Sequence, residues 1–261
     1  MGTSSIYNGK MDKNPLLPKD YDTNGEQETQ ENTEPENCPN VSWQTVKTDM
    51  SKYIKSGGNS GSVKHITRQY VKASGGSGSL LNQSSSGMRT AGNIGNFLNG
   101  IRAEGIFTTL QRFGIAYTGR SIYEVFSELV TAVAFNSDTK EDIVAKEAAQ
   151  ESMSKIYDFV ETNNMELESL DSMPAALMNE ALCEYVGSYI WIKMMNDLES
   201  RLEKYIGNPK EALAIEQEFK QYIFNTVRVE FENKGDIINQ DVRSSIVTLY
   251  SKCLDVLEGT L

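Results

Sequence analysis

The sequence contains few of the side chains on which enzyme and metal sites usually depend. His65 is the only histidine, and the three cysteines, Cys38, Cys183 and Cys253, lie far apart without a C-x-x-C pair. This pattern argues against a zinc site, a disulfide framework and a Ser-His-Asp or Cys-His centre. The sequence also has no G-x-x-x-x-G-K-[ST] or G-x-G-x-x-G phosphate loop and no H-E-x-x-H helix. We therefore predict a protein that is not an enzyme and that uses no metal or cofactor.

Long hydrophobic runs are missing as well. No stretch approaches the ~18 apolar residues that a membrane span requires. Lys10 and Lys13 are not followed by the apolar core of a signal peptide. We therefore expect a cytoplasmic protein without a membrane partner, and the 261 residues are enough to bury a substantial core.

Charge is distributed unevenly over three segments. The net charge is −5 in residues 1–40, +8 in residues 41–120 and −14 in residues 121–261. A basic segment between two acidic ones indicates either internal neutralisation or a basic face for an anionic partner. We predict three corresponding domains: an acidic, disordered N-terminal tail, a basic Gly-rich segment of short helices, and an acidic helical bundle.

The predicted tail is polar and contains four prolines, which together disfavour helices and a packed core. Its clearest exception is the stretch Pro15-Leu16-Leu17-Pro18. Two prolines around two leucines favour a stiff, extended apolar segment. This stretch is either a docking element for a partner or an ordinary loop.

The basic segment contains a 17-residue repeat of the form apolar-basic-x-x-Gly-x-x-Gly-x-apolar. Its three copies begin at Ile54-Lys55, Val71-Lys72 and Met88-Arg89. Glycine ends a helix at little steric cost, so we predict short helices with Gly/Ser corners that present the three basic residues on one side. Amides at the helix starts would then suit phosphate or another anion. The alternative is that the glycines allow close packing of the helices.

Helical periodicity dominates the folded part of the sequence. Ser42 is a candidate N-cap, and the stripe that follows it favours a buried helix face over a ligand site: Trp43, Val46, Met50, Tyr53 and Ile54. After residue 120, the capping box at Ser121–Glu124 and later apolar stripes predict at least five helices with short connections. No strand pattern alternates with them, so the predicted fold class is all-α, a helical bundle.

Several motifs together resemble the QatB family of the Qat antiphage defence system. They are Met1-Gly2-Thr3-Ser4-Ser5, Pro15-Leu16-Leu17-Pro18, Tyr53-Ile54-Lys55-Ser56-Gly57-Gly58, Tyr70-Val71-Lys72 and Arg89-Thr90-Ala91-Gly92. The resemblance implies a system of four proteins: an ATPase, this component, a QueC-like protein and a TatD-like nuclease. It also implies that the QueC-like protein attaches a deazaguanine to the amine of an N-terminal glycine.

On this interpretation Gly2, exposed by removal of Met1, is the site of covalent modification. An α-amino group has a pKa of ~7.7–8.0 against ~10.4 for lysine, so it is the better nucleophile at neutral pH. The residues predicted to contact the partner are Gly2, Thr3, Ser4, Ser5, Leu16, Leu17 and Trp43. We therefore expect a non-enzymatic defence component that binds a QueC-like partner and presents Gly2.

The alternative is an adaptor that binds nucleic acid or another anion through the basic repeat. Its contact residues would be Lys55, Lys72 and Arg89, and its binding would weaken as salt is added. Tyr53 and Tyr70 precede the first two copies and Phe97 ends the third, so the repeat offers few aromatic residues for base stacking and nucleic acid is not the favoured partner.

Overall fold

The fold is that of a computed structural model, which describes residues 41–134, 138–163, 166–205, 209–235, 237 and 241–260. The predicted disorder of residues 1–40 lies outside these residues. Within them the chain forms ten α-helices and one 3₁₀ helix, and the described ranges contain no β-strand. The all-α fold class predicted from the sequence is therefore confirmed.

The helices have the following bounds: α1 Trp43–Lys55, α2 Val63–Ala73, α3 Gly76–Asn82, α4 Ser85–Glu104, α5 Ile106–Arg112, α6 Ile122–Ala134, α7 Lys140–Thr162, the 3₁₀ helix Leu167–Ser172, α8 Ala175–Tyr205, α9 Pro209–Lys234 and α10 Val242–Glu258. The predicted bundle thus begins with five helices in the basic segment. Four of those five have 13 or fewer residues, and α4 has 20.

Side-chain caps explain where several helices begin. The Ser42 hydroxyl accepts a hydrogen bond from the backbone N–H of Thr45 at the start of α1, as predicted. Ser121 and Glu124 form the predicted capping box before α6, with each side chain bound to the backbone of the other residue. A second capping box joins Thr139 and Asp142 at the start of α7.

A single hydrophobic core joins the helices on both sides of residue 120. Helix α8 packs against α1, α4, α7 and α9, and its buried face includes Tyr185, Val186 and Tyr189. Helix α10 packs against α2, α3, α4 and α9. The basic and acidic segments therefore contribute to one interior, which brings their charged residues close together.

The predicted stripe on α1 is buried at four of its five positions. Val46, Met50, Tyr53 and Ile54 face the core, whereas Trp43 is 37 % exposed. The prediction is therefore wrong for Trp43. It is the first residue of α1, and its ring meets the Tyr70 ring edge-on and lies beneath the Lys47 ammonium.

The glycine repeat has different structures in its three copies. Gly58, Gly61 and Gly75 in the first two copies have positive φ and follow the ends of α1 and α2, as predicted. The third copy lies inside α4, so the predicted corner there is wrong. A Cβ atom on Gly95 would lie 2.0 Å from Cγ1 of Val242, which shows that this glycine permits close packing of α10 on α4.

Candidate functional site

The structure describes four of the predicted site residues. Gly2, Thr3, Ser4, Ser5, Leu16 and Leu17 lie outside the described residues, whereas Trp43, Lys55, Lys72 and Arg89 lie on helices α1, α2 and α4. Trp43 borders a surface cleft, and the three basic residues of the repeat are on three different helices.

A cleft of about 650 Å³ opens beside Trp43, where the described chain begins. Ligand pockets in proteins commonly have volumes of about 300–1,000 Å³. The lining comes from α1, α2, α3, α7 and α8 and from the residues that join them: Trp43, Ala73, Ser74, Leu80, Gln83, Lys140, Glu141, Ile143, Val144, Lys193, Asn196 and Asp197. We call this feature the Trp43 cleft.

A chain of contacts through Tyr70 joins two residues that line the Trp43 cleft, Trp43 and Asp197. The Trp43 ring meets the Tyr70 ring edge-on, with 5.7 Å between the centroids. The Tyr70 hydroxyl donates a hydrogen bond of 2.9 Å to the carboxylate of Asp197. Burial, and then the Asp197 charge, raise the pKa of Tyr70 well above its usual value, so the phenol stays protonated as the donor.

The rest of the lining combines apolar and charged groups. Ile143 is 45 % exposed although it belongs to α7, whose neighbouring residue Val144 is buried. Lys193 lies with its Nζ 3.5 Å from the carbonyl oxygen of Gln83. The hydroxyl of Tyr189 donates a 3.2 Å hydrogen bond to Glu141. The cleft can therefore receive an apolar side chain and place a charged neighbour beside a lysine.

The repeat does not place its basic residues in equivalent positions. Lys55 and Lys72 lie in the last turns of α1 and α2, where a cation complements the helix dipole. Arg89 lies near the start of α4, and its Nη2 atom is 3.5 Å from Oδ1 of Asp142. One of the three predicted anion-binding residues therefore already contacts a carboxylate of the same chain.

Internal carboxylates also contact the helix starts where an external anion was expected. Oε1 of Glu141 accepts hydrogen bonds from the backbone N–H of Ser86 (2.7 Å) and of Gly87 (3.2 Å) at the start of α4. A Glu258 oxygen accepts one from Ser77 of α3, at 3.0 Å. Of the two predicted explanations for the charge pattern, internal neutralisation operates at these two helix starts.

Sequence reasoning missed Glu141, Glu258 and Asp171 as capping residues. Oδ1 of Asp171 accepts a 2.6 Å hydrogen bond from the backbone N–H of Ile106, the first residue of α5. The only available signal was the excess of acidic residues after residue 120. That excess indicates that acids are available to the basic segment, but it does not indicate which acid contacts which helix.

Asp142 connects these contacts into a network. Its carboxylate accepts hydrogen bonds from the hydroxyl groups of Ser86 and Thr139 and lies near Arg89. These interactions, led by the Ser86 hydrogen bond, lower the pKa of Asp142. Asp142 is therefore ionised at neutral pH and holds the starts of α4 and α7 together.

The tyrosines of the first two repeat copies also contact acids of the later segment. Tyr53 donates a hydrogen bond to Glu218, just as Tyr70 does to Asp197. The third copy has Gly87 at the corresponding position, and a Cβ atom there would lie 2.3 Å from the Tyr189 ring. In the third copy, the aromatic ring therefore comes from α8 rather than from the repeat.

His65 and Cys183 lie in different surroundings. Nε2 of His65 lies 3.6 Å from Asp49 at the surface, and burial raises the pKa of Cys183 to about 11. Within the described ranges, no group of three or more His, Cys, Asp or Glu residues is placed to hold a metal ion. None of the helices described is both long and apolar enough to span a membrane.

Comparison with known proteins gives a family match. The model of the family described as Qat anti-phage system associated protein QatB matches residues 75–257, which is more than two thirds of the chain. Of the motifs noted in the sequence, Arg89-Thr90-Ala91-Gly92 lies inside this range, whereas Gly2 and Trp43 precede it. Neither the curated proteins nor the solved structures gave a match. The chain belongs to the QatB family, whose members are associated with the Qat anti-phage system.

Proposed function

We propose that this chain is a non-enzymatic component of antiphage defence that binds a QueC-like protein and presents Gly2 for covalent modification with a deazaguanine. The observation that supports the proposal is the QatB family match over residues 75–257. Membership of the Qat system implies partners within that system. The proposed partners are the QueC-like protein first, and then the ATPase and the TatD-like nuclease.

The proposed reaction is the formation of an amide bond at the chain terminus. The partner uses ATP to activate the carboxylate of a 7-deazaguanine. The nitrogen of Gly2 attacks the activated carbonyl carbon, loses a proton and displaces the activating group. With a pKa of ~7.7–8.0, about one α-amino group in ten is neutral at pH 7, against about one lysine in 2,500.

Glycine suits this role because no side chain lies beside the attacking nitrogen. Hydroxyl groups on Thr3, Ser4 and Ser5 can bond to the backbone of a partner that holds the terminus in an extended pose. Residues 3–40 span up to about 130 Å when fully extended, so the terminus can enter a deep site while the helical body docks elsewhere. The proposal places the protein in the cytoplasm, where ATP for the activation step is available.

The test is the intact mass of the chain after co-expression with the QueC-like protein. We expect one deazaguanine acyl group per chain, which fragmentation assigns to Gly2. The variants G2A and a chain with one residue added before Gly2 should both lose the adduct. K10R is the matched control and should keep it, because the lysine amine is not the nucleophile. An unmodified terminus in the native chain, or an adduct on a lysine, would refute the proposal.

A further inference from the structure

The Trp43 cleft carries exposed apolar surface from two different helices. Among the described residues, the large hydrophobic side chains with substantial exposure are Trp43, Tyr123, Ile143, Leu213 and Val229. Two of these five line this one cleft, Trp43 from α1 and Ile143 from α7. Exposed apolar surface at a concave site with polar neighbours is typical of a docking surface.

The Trp43 ring is held in position before anything binds. It meets the buried Tyr70 ring edge-on, and the Tyr70 hydroxyl is fixed by its hydrogen bond to Asp197. The ammonium of Lys47 lies 6.0 Å from the centroid of the Trp43 ring. A ring that is already fixed loses little side-chain entropy when a partner covers it.

Lysines around the cleft offer positive charge to a ligand. Lys140 and Lys193 belong to the lining, and Lys47 lies over the exposed indole ring. In the part of the chain that the structure describes, none of these three lysines forms a salt bridge with a carboxylate. By contrast, the two acids of the lining, Glu141 and Asp197, already accept hydrogen bonds from groups of the same chain. An anionic group that enters the cleft would therefore meet cations that can pair with it.

The spread of these groups favours a peptide over a small anion. The exposed apolar side chains come from α1 and α7, and the lysines come from α1, α7 and α8. One ligand can contact all of them only if it carries apolar and acidic groups side by side. A nucleic acid strand fits less well, because strand binding uses several stacked rings and Trp43 is the one aromatic residue among the described residues of the lining.

We propose that the Trp43 cleft binds an acidic segment of a partner protein that also carries a large apolar side chain. The apolar side chain packs on Trp43 and Ile143, and neighbouring carboxylates pair with Lys140 and Lys193. The charge pairs select the partner and speed its approach, while the apolar contact holds it. This contact requires no modification of Gly2, so it does not rest on the proposed function.

Fluorescence of Trp43 tests the contact in the full chain. The sequence has two tryptophans, so W191F leaves Trp43 as the only one. The probe is an acetylated and amidated synthetic peptide, Asp-Asp-Glu-Leu-Phe-Glu-Asp-Asp, which has no tryptophan of its own. At saturation it should shift the emission of Trp43 to shorter wavelength and lower the acrylamide quenching constant about twofold, because the ring becomes covered.

Two analogues of the probe separate the two parts of the contact. One has asparagine and glutamine in place of the acids, and the other has serine in place of leucine and phenylalanine. Both should bind at least about tenfold more weakly than the probe, because each lacks one half of the contact. Added salt should weaken binding of the probe, since it screens exposed charges.

Charge variants of the chain locate the carboxylates. In the W191F background, K140Q/K193Q should weaken binding of the probe about tenfold and change the affinity of the amide analogue little. K64Q/K252Q is the matched control, because it removes two exposed lysines that lie outside the cleft lining. It should leave the affinity of the probe unchanged at moderate salt.

An apolar variant locates the large side chain. I143S should weaken binding of both the probe and its amide analogue, because both carry leucine and phenylalanine. V229S is the matched control, since Val229 is equally exposed but lies outside the cleft lining, and it should change neither affinity.

Several outcomes would overturn the inference. They are an unchanged Trp43 spectrum with the probe, equal binding of the three peptides, and equal effects of the cleft variants and their controls. A single-stranded oligonucleotide that binds as tightly as the probe would overturn it as well, as would Trp43 emission that depends on protein concentration, because nucleic acid or a second copy would then be the occupant. A chain that binds the probe but is not modified at Gly2 refutes the proposed function alone.

Discussion

Oε1 of Glu141 lies 2.7 Å from the backbone nitrogen of Ser86, so the first turn of α7 caps the first turn of α4. The two residues are 55 positions apart in the sequence. The contact places a carboxylate on unpaired N–H groups at the positive end of a helix dipole. It also joins the basic segment to the acidic one.

The first prediction concerns this cap. E141Q should destabilise the protein by about 1–3 kcal/mol, because it removes the charge from an acceptor that serves two amides and the Tyr189 hydroxyl. Urea unfolding followed by circular dichroism measures the change. E147Q, an exposed position on the same helix, is the control and should stay within about 0.5 kcal/mol of the native chain. Equal stability of the two variants would contradict the assigned role of Glu141.

The second prediction concerns the pH dependence of Asp142. Its pKa is lowered in the folded chain, first by the Ser86 hydrogen bond and then by Thr139, so its carboxylate stabilises the fold above the unfolded value of about 3.9. That stabilisation is lost as pH falls through the folded value. D142N should therefore cost about 1–2 kcal/mol at neutral pH, and the difference should shrink below about pH 4.

Urea unfolding of the native chain and D142N at a series of pH values checks this expectation. D158N, on the exposed face of α7, should differ little from the native chain at every pH. A difference that stays constant from neutral to acidic pH would show that ionisation of Asp142 does not stabilise the fold.

The third prediction separates two glycines of the third repeat copy. G95A should destabilise the protein by about 1–3 kcal/mol, because its Cβ atom would overlap Val242 of α10. G92A is the matched control. Its Cβ atom would lie 3.5 Å from Arg243, an ordinary contact, so the gain in helix propensity should stabilise the protein by up to about 1 kcal/mol.

Thermal or urea unfolding distinguishes these outcomes. The variant G95A/V242A should recover part of the loss, because the smaller residue at position 242 gives room for the added methyl group. If G95A stabilises the protein as much as G92A does, then α10 does not pack on α4 as closely as the structure shows.

The fourth prediction concerns the nucleophile in the proposed modification. If the Gly2 amine attacks, the rate of adduct formation should rise about tenfold per pH unit below pH 7 and level off above about pH 8, as the α-amino group loses its proton. Mass spectrometry of the reaction with the purified QueC-like protein measures the rate. A rate that still rises steeply at pH 9–10 would point to a lysine instead.

Features that depend on residues close together in the sequence could be predicted from the sequence. Ser42 and the Ser121–Glu124 box were expected as helix caps, and the structure contains both. The apolar stripes after residue 120 predicted at least five helices, and the structure contains them. In each case the deciding interaction spans only a few residues.

Features that depend on distant residues could not be predicted. The repeat has the same spacing in all three copies, yet the third lies inside a helix because α8 and α10 pack against its glycines. Glu258 caps α3 from 181 residues away in the sequence. No local sequence pattern identifies such a pairing. A count of charges shows only that the later segment has acidic residues to spare.

The position of α10 has a consequence for how the chain folds while it is being synthesised. Helix α10 packs on α2, α3 and α4, and the last residue of α10 holds the start of α3. While a ribosome is still adding residues before Val242, the early helices lack these neighbours and their apolar faces are uncovered. Recognition of the assembled body by a partner would therefore require α10 to be in place.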